Sequence, residues 1–128
     1  MKIDDSLEIG KLVSAALSDI ADVYPLLPSV EATYPCIVYQ RLNLTELSNK
    51  DTPCAADTAT VELTVATPDY AGSVELAIKV RKAMGGLHHY DCGLNVERPV
   101  LLSSMESVQP DGPTPVYLHI LTYQITIE

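Results

Sequence analysis

Phenylalanine and tryptophan are absent from the 128 residues, and every aromatic side chain is one of seven tyrosines. A core without large apolar rings must be filled by Leu, Ile, Val, Ala and Met. Cationic residues are also scarce. Eight Lys and Arg stand against seventeen Asp and Glu, giving a formal charge of −9. That balance argues against a surface built to grip phosphate backbones and against specific nucleic-acid binding. It argues equally against attraction to an anionic membrane. It favours solubility, or a basic partner face. No stretch approaches the roughly 20 apolar residues of a membrane span. The opening Met1-Lys2-Ile3-Asp4-Asp5 turns acidic at once, so no secretory signal is expected. Cys36, Cys54 and Cys92 are odd in number and widely spaced, which reads as three free thiols in a reducing cytoplasm.

What is present is organised around residues 58–86. Thr60-Val61-Glu62-Leu63-Thr64-Val65 alternates polar and apolar with period two, the pattern of a half-buried strand. Thr67-Pro68-Asp69 then breaks the alternation and supplies a helix start. Gly85-Gly86 supplies its end. The helix expected over residues 69–84 is apolar around much of its girth. Leu76, Val80, Ala83 and Leu87 form one stripe, Val74 and Ile78 lie well round the wheel from it, and Glu75, Lys79 and Lys82 make the one continuous polar edge. Such a helix is covered on more than one side. One cover is its own sheet; the other is either the first helix or a neighbouring subunit.

Upstream, Asp4-Asp5-Ser6 caps a first helix with Ile9, Leu12, Val13, Ala16, Leu17, Ile20 and Val23 on one side. Pro25 and Pro28 stop it. Residues 35–42 read as a strand that continues to Leu44 or Leu47. A loop follows at 48–57, with Asn49, Lys50 and Asp51 among its turn formers. Beyond the second helix, residues 95–108 carry a third strand with Pro99 inside it, which fits an edge strand or a bulge because Pro99 cannot donate to a ladder. Residues 116–128 form a long final strand, apolar on both faces at its start and suited to a central position. The order is helix, strand, strand, helix, strand, strand. This is an α+β domain over residues 1–128, with one antiparallel or mixed sheet of about four strands and two helices packed on it.

The strings Tyr34-Pro35-Cys36-Ile37-Val38-Tyr39-Gln40-Arg41 and Thr60-Val61-Glu62-Leu63-Thr64-Val65 bound a hairpin. A helix carrying Ser73-Val74-Glu75-Leu76 and Val80-Arg81-Lys82-Ala83-Met84 follows it, then Leu101-Leu102-Ser103-Ser104-Met105-Glu106 and the terminal strand. From about Leu7 onward this arrangement resembles the small tail-completion proteins of long-tailed bacteriophages and prophages, relatives of the tail terminators. The resemblance implies a structural role with no catalytic residues and no cofactor. Copies would close a ring, usually a hexamer, at the head-proximal end of the tail tube. The ring ends tube growth and meets the head–tail connector. The implied partners are the chain itself, the tail-tube protein and the connector. The implied location is the host cytoplasm during assembly, then the virion tail. Contacts between copies are expected at Val74, Ile78 and Arg81, at Asn49, Lys50 and Asp51, and along the long strand edges.

The rival classes are a small enzyme or a ligand- or metal-binding domain, and an adaptor for one unrelated protein. His88-His89-Tyr90-Asp91-Cys92 is the one cluster of metal-ligand atoms, and His119 can add a ligand. A structural zinc site normally shows a second spaced pair, which is missing, so no metal residue is assigned. Cys36 sits in an expected strand and Cys54 has no nearby His. Ser103-Ser104 lacks the glycine elbow of a serine nucleophile.

Overall fold

The computed structural model describes residues 2–25, 34–47, 56–110 and 115–128. Asp5 opens the first helical segment by accepting from the Leu7 amide at 2.8 Å, the local bond that satisfies an orphan N–H at a helix start. A short 3-10 turn, Ser6–Glu8, runs into α1, Ile9–Leu17. Then come β1 (Asp22–Pro25), β2 (Cys36–Leu47), β3 (Ala56–Thr67), α2 (Tyr70–Gly85), β4 (Val100–Gln109) and β5 (Val116–Ile127). The five strands form one sheet in the order β1-β2-β3-β5-β4. β1 is parallel to β2, and every other pairing is antiparallel. The fold is α+β with a mixed sheet, and β5 takes the interior position expected of it.

The fifth strand is the main departure from expectation. The apolar stripe of the first helix continues through Ile20 and Val23, but α1 ends at Leu17. Ser18 turns its hydroxyl back to donate to the Ala15 carbonyl at 3.1 Å, a bond that competes with helix propagation. The Ile20 amide closes a tight turn on the Leu17 carbonyl at 3.0 Å. Asp22–Pro25 then gains a full parallel register with Cys36–Tyr39. Pro25 is tolerated because it ends an edge strand.

The segment before β4 also departs. Residues 95–108 are not one strand. Asn95 and Glu97 bond across to Glu128 and Thr126, and Val96 makes an isolated bridge to Ile127. Pro99 divides this patch from β4, as its missing N–H requires. The expected loop at 48–57 is shorter at its far end, because Ala56 and Asp57 already pair with Leu47 and Glu46.

The core lies between the two helices and one face of the sheet. Ala59, Val61, Leu63 and Val65 of β3 point into it, as do Leu121, Tyr123, Ile125 and Ile127 of β5. α1 adds Ile9, Leu12, Val13 and Leu17, and α2 adds Leu76, Val80 and Met84. Tyr123 is the single aromatic ring among the buried described residues. Close approach of α1 to β2 depends on Gly10, because a Cβ there would stand 2.8 Å from the Tyr39 ring. The opposite face carries Thr58, Thr60, Glu62 and Thr64 of β3 beside Thr122, Gln124 and Thr126 of β5, all half-buried. No described helix lies over it, and no described helix is long and apolar enough to cross a membrane.

Tertiary contacts answer the question of what covers α2. It packs on β3, on β5 and on α1. Along its apolar girth Ile78 remains 51% exposed. Leu63→Ala should therefore lower the unfolding free energy by about 2–5 kcal/mol. Ile78→Ala should change it by no more than about 0.5 kcal/mol. Urea titration of the two variants checks the packing; comparable losses would mean that α2 buries a different side.

Candidate functional site

Positions 74, 78 and 81 recur at the spacing of one helix face, and α2 brings Val74, Ile78 and Arg81 into one line. Val74 is half-buried, while Ile78 and Arg81 are exposed. Facing them are Leu101 and Ser104 of β4 with His119 of β5, and together they enclose a cleft of about 160 Å3. Past Arg81 the cleft opens into a wider hollow of about 590 Å3, reached also by Lys82, His89 and Arg98. The three other residues singled out in the sequence, Asn49, Lys50 and Asp51, lie outside the described residues, as does Cys54.

Among the described residues the cleft has one polar contact of short range. Ser104 Oγ and His119 Nε2 are 2.6 Å apart. In register Ser104 stands opposite Leu121 and His119 opposite Glu106, so the bond runs diagonally between β4 and β5. A hydroxyl beside an imidazole is the first part of a nucleophile–base pair. Catalysis also needs a group that orients the ring from its other nitrogen. Among the described residues His119 Nδ1 is buried without a hydrogen-bond partner. The arrangement stitches two strands together and supplies no more of such a centre than that.

The start of α2 is fastened to the same strand. The Tyr70 hydroxyl donates to the Glu106 carboxylate, 3.0 and 3.1 Å from its two oxygens. The Tyr70 ring meets Tyr117 edge-on at 6.2 Å. The Glu106 bond and its charge hold the Tyr70 phenol above its ordinary range.

The histidine–cysteine string divides between core and surface. Cys92 is buried, its thiol donating to the Leu94 carbonyl at 3.4 Å, while its own carbonyl accepts from the Ile3 amide at 2.8 Å. It fastens the amino-terminal segment to the core. His89 and Asp91 stay exposed. His88 is half-buried, its ring 3.9 Å from that of His89. Among the described residues no three His, Cys, Asp or Glu side chains come together in a group that could hold a metal ion. Cys36 is buried in β2; burial, then the Asp22 charge, pushes its thiol upward.

Sequence reasoning named the α2 side of the cleft, and it weighed His119 and Ser104 without bringing them opposite α2. Two signals were there to be used. His119 interrupts an otherwise apolar run at the start of β5. Arg98 stands beside Pro99, where the chain must leave one pairing and begin another.

Matched against models of protein families and against curated proteins, the chain meets no family model and no curated sequence. Fold and site define it by architecture: an α+β domain with a sheet covered by described helices on one face, and a cleft between α2 and strands β4 and β5 that adjoins a cation-lined hollow at the end of α2.

The histidines report on that seam. Burial first, then the charges of His89 and Arg98, hold His88 below the ordinary histidine range. Its folded-state value lies under its unfolded value, so its cost to stability is absent at higher pH and appears as pH falls through the ordinary range. An NMR titration should place His88 below that range, and Arg98→Gln should move it upward. An ordinary His88 midpoint, unmoved by the substitution, would contradict this geometry.

Proposed function

We propose that the chain is a non-catalytic assembly subunit that completes the tail of a long-tailed bacteriophage or prophage. Copies close a ring, six-fold as in the family it resembles, at the head-proximal end of the tail tube. The ring stops tube growth and offers a face to the head–tail connector.

The observation that carries this reading is the state of β4. It is a ten-residue edge strand in which every residue but Leu101 is exposed. Val100, Leu102, Met105 and Val108 are 57%, 51%, 58% and 47% exposed. Glu106 is the strand's one charge. Edge strands of solitary proteins are usually short, charged or covered, because a bare edge invites another chain. A long exposed edge, half of it apolar and with a single charge, beside the open cleft is suited to burial between subunits. Ile78 extends that apolar surface onto α2. The acidic balance of the chain fits a ring whose lumen passes DNA without gripping it.

Light scattering across a concentration series tests the proposal. Wild-type protein should form a discrete species of several copies, alone or with tail-tube protein added. Met105→Glu should weaken association by about tenfold or more while leaving the melting temperature unchanged, since the side chain is exposed. A strict monomer at high concentration, even in the presence of tail-tube protein, overturns the reading.

A further inference from the structure

Three of the eight cationic residues gather in one place on a chain of charge −9. Arg81 and Lys82 of α2 and Arg98 ahead of β4 surround the wider hollow, and no carboxylate lines it. Among the described residues none of the three side chains makes an ion pair; the pair that does form is Lys11–Glu8, at 3.2 Å. The end of a helix favours a positive charge, which accounts for Lys82 in the last turn of α2. It does not account for Arg98, which reaches in from another segment. The Arg98 guanidinium lies over Gly85, with Nη2 3.8 Å from where a Cβ would stand.

Below the guanidinium groups is a smaller hollow of about 170 Å3, bounded by Arg81, Arg98, Pro99, Leu101 and Tyr123. Tyr123 is 3% exposed, and its hydroxyl has no hydrogen-bond partner among the described residues. Buried hydroxyls are ordinarily bonded. Burial raises the Tyr123 phenol, with the Arg81 charge opposing, so it stays a proton donor. Two guanidinium groups over an unused phenolic O–H make a socket for an oxyanion, and the planar fork of Arg matches a carboxylate.

Carboxylates are concentrated elsewhere on the same molecule. Asp4, Asp5, Asp57 and Glu128 border a hollow of about 320 Å3. Glu97 adjoins it, and the Glu128 hydrogen bond and charge push its carboxyl upward, a sign of crowded like charge. The acidic and cationic linings share no residue.

Resting on the assembly reading above, we propose that the Arg81–Arg98–Tyr123 socket receives a carboxylate from the acid-lined corner of a second copy. Because the two surfaces differ, the contact is head-to-tail. Each added copy leaves one socket and one corner free, the heterologous arrangement that forms a ring where the rotation between copies closes.

Two neutralised proteins test the pairing by sedimentation velocity. One carries Arg81→Gln with Arg98→Gln, the other Asp4→Asn with Asp57→Asn. Neither should associate alone, and mixed in equal amounts they should stop at a one-to-one dimer, the intact corner of the first filling the intact socket of the second. Tyr123→Phe, which removes only the hydroxyl, should weaken wild-type association by about tenfold. Melting curves confirm that each variant is folded. Assembly of either neutralised protein as in the wild type, or failure of the mixture to pair, overturns the docking and leaves the assembly reading standing. A wild-type protein that never associates sinks both.

Discussion

The constraint on which the structure depends is the pairing of β3 with β5. Eleven consecutive register partners join them, from Asp57 with Ile127 to Thr67 with Tyr117. That register aligns Val61 with Tyr123 and Leu63 with Leu121 on a single face. A slip of one residue would turn every one of these side chains to the opposite face. α2 can seat itself only on the apolar surface this alignment creates, and α1 packs on α2 and on β2 in turn. The position of β4, and with it the cleft, follows from the same pair, because among the described strands β4 has no neighbour in the sheet but β5.

Much of this was legible from residue order. The alternation at 60–65 marked β3. Pro68-Asp69 and Gly85-Gly86 bracketed α2, whose cap is indeed Asp69, accepting from the Gly72 amide at 2.9 Å. Those are local signals, and local chemistry decided them. β1 was illegible for a physical reason. Ile20 and Val23 happen to extend a helical period, and what makes a strand of Asp22–Pro25 is hydrogen bonding to Cys36–Tyr39, a partner that no local window contains. The break at Pro99 was visible, but its consequence was not. Whether a strand resumes after a proline or divides around it depends on what the other strand offers.

The site was half legible for the same reason. Val74, Ile78 and Arg81 share a face by spacing within one helix, so α2's share of the cleft could be read directly. The share belonging to Ser104 and His119, and the Arg98 and Tyr123 side chains of the adjoining hollow, come from strands and a connecting segment brought alongside by the sheet. Composition alone, with its scarcity of cations, could have prompted the question of where the few positive side chains meet. The His88–Cys92 string, to which no metal role was assigned, shows why adjacency is a poor guide to a site. Adjacency in sequence suggested a cluster, and the backbone sends Cys92 inward while His89 and Asp91 face out.

The two outer strands of the sheet are unequal: β1 has four residues and β4 has ten. Among the described residues, a further strand finds a long rail of backbone groups on one flank and a short one on the other. Two molecules zipped flank to flank along β4 would turn their stubs outward, and the row would end there. Zipping of that kind would use up β4 in a single pair, so in a head-to-tail ring β4 must be covered by a different surface of the next copy.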